Sequence, residues 1–239
     1  MNLDTMSPDQ VVYAQWGVVS INATLVYTWV TIALIALVVH LVTRKLVISG
    51  KRTRGQQFLE WAVESIREEI GQAMNRDPRP YLPFIAGLFL FIAVSNVLSV
   101  VPGYVSPTAS LSTTAALALC VFLAVPVFGM TSIGIKRYLK SYFEPFWLMF
   151  PFNIIGELSR TLALAVRLFG NMMSAGKVAA ILLAITPLLF PIIMNLFGLL
   201  TGLVQAYIFA ILATVYIASA VNVTSKQVDR REEMTEQLG

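Results

Sequence analysis

The chain has 239 residues, 57% of them hydrophobic and 13% charged, with a formal net charge of +4 and a mean hydropathy of +0.74. That balance excludes an ordinary soluble domain and describes a polytopic membrane protein. The basic residues sit in short segments between apolar runs, where they report topology rather than nucleic-acid binding, and the single Cys120 excludes an intramolecular disulfide.

The first twenty residues lack a basic stretch and carry Asp4 and Asp9, so the first apolar run reads as a retained span, not a cleaved signal. That span is 25–43, closed by Arg44 and Lys45, with His40 reading as an interfacial histidine near its basic end. Residues 56–74 then place Phe58, Leu59, Ala62, Val63, Ile66 and Ile70 at helical spacing opposite Glu60, Glu64, Arg67 and Glu68. The pattern predicts an amphipathic helix lying along the membrane surface, with its charges as a solvated face.

Pro78, Pro80 and Pro83 break the chain, and no charged residue occurs between Arg79 and Lys136. The window holds a middle hairpin, 82–101 and 114–134, joined by a turn-rich loop at 102–113. Ser112 and Thr113 read as helix caps; lining a hydrated vestibule is the sharper alternative for them and for Asn96, Ser110 and Thr114. A basic segment leads to the final hairpin, 151–185 and 188–224, bent at Thr186-Pro187. Each arm exceeds the roughly 30 Å hydrocarbon thickness, so both must tilt strongly or lie partly along the interface. A polar tail, 225–239, frays. The expected fold is an all-α polytopic membrane protein, one membrane domain over 1–239, with about five transmembrane helices and one surface helix. No internal repeat is visible.

Three basic groups fall on one side of this topology: Arg44, Lys45, Lys51, Arg52 and Arg54; Lys136, Arg137 and Lys140; Lys226, Arg230 and Arg231. By the positive-inside rule the C-terminus is cytoplasmic and the N-terminus outside.

The segment Gly156–Lys177 carries Glu157, Arg160, Arg167 and Lys177 in otherwise apolar sequence. A charge near the bilayer centre costs roughly 2.5–3.5 kcal/mol on insertion scales, so such residues face protein or water. Arg160, Leu164, Arg167, Asn171 and Ser174 share one helical stripe. Glu157 and Arg160, three apart, can pair, but Arg167 has no acid at helical spacing and needs a partner from elsewhere. An arginine stays protonated, so it is a permanent positive post rather than a proton carrier. For Lys177 the ordinary alternative is snorkelling to the interface; neutral Gln205 bonds across helices. Gly170, Gly176, Gly198 and Gly202 permit close packing. No metal cluster, cofactor motif or nucleophile–base pair is present, so no catalytic residue is assigned.

The segment Pro151–Met173, PFNIIGELSRTLALAVRLFGNMM, resembles the signature of subunit a of F-type ATP synthases, and PTASLSTTAALAL and LVQAYIFAILATVYIA resemble that subunit's fourth and last helices. The resemblance implies a non-catalytic, ion-translocating stator subunit of the bacterial inner membrane, without cofactor. It would couple H+ or Na+ flow to ATP synthesis or hydrolysis beside a rotating c-subunit ring, with the b-subunit peripheral stalk and other ATP synthase subunits as partners. It also implies roles. Arg167 would separate two aqueous half-channels, Asn171 would follow one turn on, Gln205 would face the arginine from the last helix, and Glu157 and Arg160 would line the cytoplasmic half-channel. The sequence departs from that pattern in the outer half. Gly176 and then Lys177 stand where an acid is common, Ser110 and Ser112 replace an aspartate and an asparagine, Gly198 replaces a histidine of some members, and Thr161 and Leu162 stand where a proline is usual. In this it is similar to the divergent operon-borne class sometimes called N-type, many of which are sodium-linked. A secondary transporter with a charged solute site, predicting uptake by the isolated chain, is the rival reading; a structural scaffold is a third.

Overall fold

A computed structural model describes residues 12–16, 19–43, 54–74, 77–101, 104–135, 149–185 and 190–236. Six helices run through them: α1 (Ala23–Thr43), α2 (Arg54–Met74), α3 (Leu82–Leu98), α4 (Leu111–Ile133), α5 (Met149–Ile185) and α6 (Phe190–Glu236). Helices α3 to α6 pack together, α2 lies against α3 and α6, and α1 against α3. The membrane portion is all-helical, as expected.

The expected boundaries shift for local reasons. Helix α3 stops at Leu98 instead of 101, where Ser99 Oγ donates to the Asn96 carbonyl at 2.6 Å; the residue before Pro102 is disfavoured in the helical region. A 3-10 turn, Pro107–Ala109, leads into α4, whose N-cap is Ser110 in extended conformation. Ser112 and Thr113 are therefore not the caps; they lie inside the first turn. Gly134 ends α4 at φ +93°, a left-handed conformation that glycine adopts without strain, with its N–H on the Met130 carbonyl at 2.8 Å. Two short antiparallel strands, β1 (Val12–Trp16) and β2 (Val19–Asn22), precede α1 with Trp16 opposite Val19. They were absent from the sequence expectation because strands of 5 and 4 residues are too short to establish an alternating pattern, even where the residue types favour one. The backbone of α6 continues to Glu236, where the polar tail was expected to fray. The bend at Thr186-Pro187 and the basic residues Arg44, Lys45, Lys51, Arg52, Lys136, Arg137 and Lys140 lie outside the described residues.

Among the described residues, three helical stretches are long and apolar enough to cross a membrane: Ala23–Leu41, Leu111–Ser132 and Ile192–Val221. Helix α3, 17 residues, spans about 26 Å at 1.5 Å per residue, the lower limit for crossing. Helix α5 is 37 residues, about 56 Å long, and its four charged side chains lower its apolarity.

Lipid tails are as apolar as leucine, so packing inside the bilayer rests on close contact rather than on expulsion of water. Small residues supply that contact: Ala93 of α3, Ala118 of α4, Ala165 of α5 and Ala206 and Ala213 of α6 meet around Leu164, Leu168 and Phe209. A second cluster seats the apolar face of α2. Ile70 and Met74 are buried with Tyr81, Ile85, Ala210, Ile217 and Val221, while Trp61 on the other side is 66% exposed. The end of the bundle that carries the 3-10 turn also receives the start of α1, where Tyr27 meets Tyr104 edge to face at 5.1 Å. At the opposite end Tyr81 Oη bonds Ser132 Oγ at 3.0 Å.

Candidate functional site

The final hairpin sets the register of the charged residues. Asn171 Nδ2 donates to the Thr201 carbonyl at 3.4 Å, so one turn earlier on α5 and one turn later on α6 Arg167 stands level with Gln205. Leu164 and Leu168 are buried, whereas Arg160, Arg167 and Ser174 are exposed. The polar stripe thus runs along the edge where the buried face of α5 meets its outer face. Among the described residues no ion pair or hydrogen bond holds the Arg167 guanidinium. Gln205 is 5% exposed and its Nε2 has no hydrogen-bond partner there. The two are therefore level without being bonded to each other.

Arg160 does not take the expected partner. Its guanidinium lies 5.7 Å from the centre of the Tyr216 ring, and Glu157–Arg160 is not among the ion pairs of the described residues. The long stem reaches across to α6 instead of back along α5, and a guanidinium over a partly buried ring is worth about 0.5–2 kcal/mol. Thr161, standing where a proline was expected, donates its hydroxyl to the Glu157 carbonyl at 2.9 Å.

Beyond Asn171, toward the 3-10 turn, a cavity of about 450 Å³ opens between α3, α5 and α6. Ser99, Tyr104, Ser106, Gly176, Lys177 and Asn195 line it, with Met172, Met173 and Met194 completing its walls. Among the described residues that line it, Lys177 is the one charged side chain and none is a carboxylate. Ser110 and Ser112 bond each other at 2.6 Å but do not reach this cavity. Next to it the hydroxyls of Ser106 and Thr108 meet at 2.8 Å, and Ser106 donates to the Ser95 carbonyl at 3.3 Å. Burial raises the pKa of Tyr104, opposed by its hydrogen bond with Thr31.

Three contacts were not anticipated. Asn96, 1% exposed, donates Nδ2 to the Gly202 carbonyl at 2.6 Å; its polarity in an apolar span was the available signal. Tyr104 Oη and Thr31 Oγ1 lie 2.6 Å apart, fastening the loop to α1. Tyr207 Oη donates to Glu69 Oε1 at 2.8 Å, joining α2 to α6 across 138 residues, and no local pattern distinguishes Glu69 from its acidic neighbours. Among the described residues no cluster of metal-ligating side chains occurs.

Residues 25–218 match the family described as ATP synthase A chain. The chain is 55% identical over 222 residues to ATP synthase subunit a 2 of a Picosynechococcus strain, covering 93% of this chain and 95% of that one. It is 56% identical over 215 residues to ATP synthase subunit a of Albidiferax ferrireducens, with 90% and 93% covered. Against ATP synthase subunit a 1 of Chlorobaculum parvum it is 55% identical over 221 residues, with 92% and 98% covered.

Proposed function

The chain belongs to the ATP synthase A chain family, a membrane subunit of the F-type ATP synthase complex, and from that premise we propose how its geometry moves ions. It gives the carboxylates of a rotating c-subunit ring access to water by two half-channels. The cavity lined by Lys177 belongs to the outer one, the flank of α5 around Glu157 and Arg160 to the inner one, and Arg167 separates them. The observation that carries this reading is Arg167 itself: a permanent cation, exposed beside the apolar outer face of α5, level with Gln205 and, among the described residues, without an ion pair or hydrogen bond. A carboxylate brought within a few ångströms of such a cation has its pKa lowered by about 1–3 units and releases its bound ion. The reloaded, neutral site can then cross lipid, while an ion-free site is held at Arg167. Each charge crossing 100 mV supplies about 2.3 kcal/mol, so several ions must pass for each ATP.

The faces left uncovered suit a ring. On α6 Leu196, Leu200, Leu203 and Tyr207 form one exposed stripe, and on α5 Ile155, Leu162 and Val166 form another. The assembly proposed with it includes a b-subunit stalk in the bacterial inner membrane, and the basic segments support an N-terminus outside and a C-terminus in the cytoplasm. The coupling ion is H+ or Na+; the resemblance of the outer half to the N-type class, with Gly176 and Lys177 where an acid is common, supports sodium.

Cysteine cross-linking tests the placement in the whole complex. With exposed Cys120 first replaced by serine, Leu203→Cys and Val166→Cys should cross-link to a cysteine-bearing ring subunit, and Leu119→Cys on α4 should not. Cross-links from α4 and none from α5 or α6 would overturn the arrangement.

A further inference from the structure

We propose that Glu69 of α2 acts as a like-charge gate for the ring carboxylates, a role that rests on the ring-facing assignment of α5 and α6. Glu69 does not belong to the final hairpin, yet Tyr207 Oη holds its carboxylate at 2.8 Å. Tyr207 ends the exposed stripe of α6 and lies two residues past Gln205, so Glu69 stands within about one turn of the level of Arg167. Helix α5 packs with Ala206, Phe209 and Ala213 of α6, and α2 with Ala210, Ile217 and Val221. A carboxylate travelling across the hairpin therefore meets a fixed cation on α5 and a fixed carboxylate at the α2 flank.

The two charges act in opposite senses. Arg167 favours the ion-free carboxylate, and Glu69 disfavours it, because two neighbouring carboxylates resist being ionised together. The field of Glu69 thus keeps a cation bound to a ring site that leaves toward lipid on that flank, whether the cation is H+ or Na+. The described parts of α3 and of α6 up to Val221 contain no charged residue, and α1 contributes only His40. On α2 itself stand Arg54, Glu60, Glu68 and Arg67, the last paired with Glu64 at 3.5 Å, and Arg160 of α5 lies farther along α6 over Tyr216.

A purely structural role, tying α2 to α6, predicts different mutants, and the hydrogen bond separates the two. Glu69→Gln removes the charge and keeps an oxygen to accept from Tyr207. Tyr207→Phe removes the bond and keeps the charge. Glu69→Asp keeps the charge on a shorter stem. In the complete complex in proteoliposomes, ions moved per ATP hydrolysed and passive ion leak are measured for each, with ring content confirmed. Each unit by which Glu69 raises the ring site's pKa corresponds to about a tenfold lower ion-free fraction. Glu69→Gln should therefore leak several-fold more and lower the coupling ratio, with Glu69→Asp close to the parent and Tyr207→Phe, which keeps the charge but frees its position, between the two. A coupled Glu69→Gln, or a Tyr207→Phe at least as leaky, overturns the gate. Ion pumping that survives Arg167→Ala in the same preparation would instead overturn the ring-facing assignment on which the gate rests.

Discussion

A methyl group added at Gly202 is the most demanding test of the packing. A Cβ built there would meet Asn96 Cγ at 2.8 Å, Nδ2 at 2.9 Å and Cβ at 3.2 Å, distances at which something must move. Asn96 cannot simply turn away. It is 1% exposed, and its Nδ2 is held by the Gly202 carbonyl at 2.6 Å. Overpacking of this kind costs about 1–3 kcal/mol. Loss of an interhelical hydrogen bond in a membrane adds about 0.6 kcal/mol, rising to about 1.7 in the strongest measured cases. Together Gly202→Ala should destabilise the α3–α6 contact by about 2–4 kcal/mol, an estimate made from those two contributions. Gly198→Ala is the matched control, because its Cβ would find only Ala175 Cβ at an ordinary 3.8 Å. Unfolding in mixed detergent micelles, followed by tryptophan fluorescence, reads the difference. Equal stability of the two variants would refute the close approach of Asn96 to Gly202.

Other residues give independent outcomes. Tyr104→Phe loses the 2.6 Å contact with Thr31 and should loosen α1 by about 1 kcal/mol, seen as faster amide exchange in its first turns. Because burial raises the folded-state pKa of Tyr104, its neutral form stabilises the fold fully below the unfolded value near 10 and less as pH rises through the folded value; Tyr104→Phe should remove that alkaline loss in a pH series of unfolding curves. Gln205→Leu deletes a buried amide with an unpartnered nitrogen, so micelle stability should hold or rise by about 1 kcal/mol while ATP-driven transport falls; unimpaired transport would remove Gln205 from the pathway. Lys177→Glu puts a carboxylate into a cavity whose described lining residues include none, and transport should quicken at low salt and less at high salt. A rate unchanged at both would make Lys177 a lysine that merely reaches the interface.

Much of this architecture was legible in the sequence because membranes impose a simple rule. A span of sufficient length must be apolar and helical, and hydropathy alone located α1, α3, α4 and the final hairpin. Period separated α2 from them: Ile66 and Ile70 fall on the face that packs against α6. The motif around Arg167 carried the family, and the register of Asn171 on Thr201 then set Arg167 level with Gln205. What escaped depended on side-chain direction or on partners remote in sequence. Spacing permitted Glu157 to pair with Arg160, but a long flexible stem beside an aromatic ring has another choice, and Arg160 takes Tyr216. The hydroxyls of Ser110 and Ser112 meet at 2.6 Å, a contact between two side chains that spacing alone did not single out. Glu69 looked like one more solvated acid because its partner is 138 residues away.

The central claim is that ions cross this protein by way of Arg167, and it is tested most directly by ATP-driven sodium uptake into proteoliposomes holding the complete complex, with a protonophore present. The account predicts uptake that persists with the protonophore in the parent and vanishes in Arg167→Ala, with ring and catalytic subunits still copurifying. Acidification abolished by the protonophore, without sodium uptake, would change the ion and leave the pathway intact. Equal ion uptake by the parent and Arg167→Ala would contradict the account.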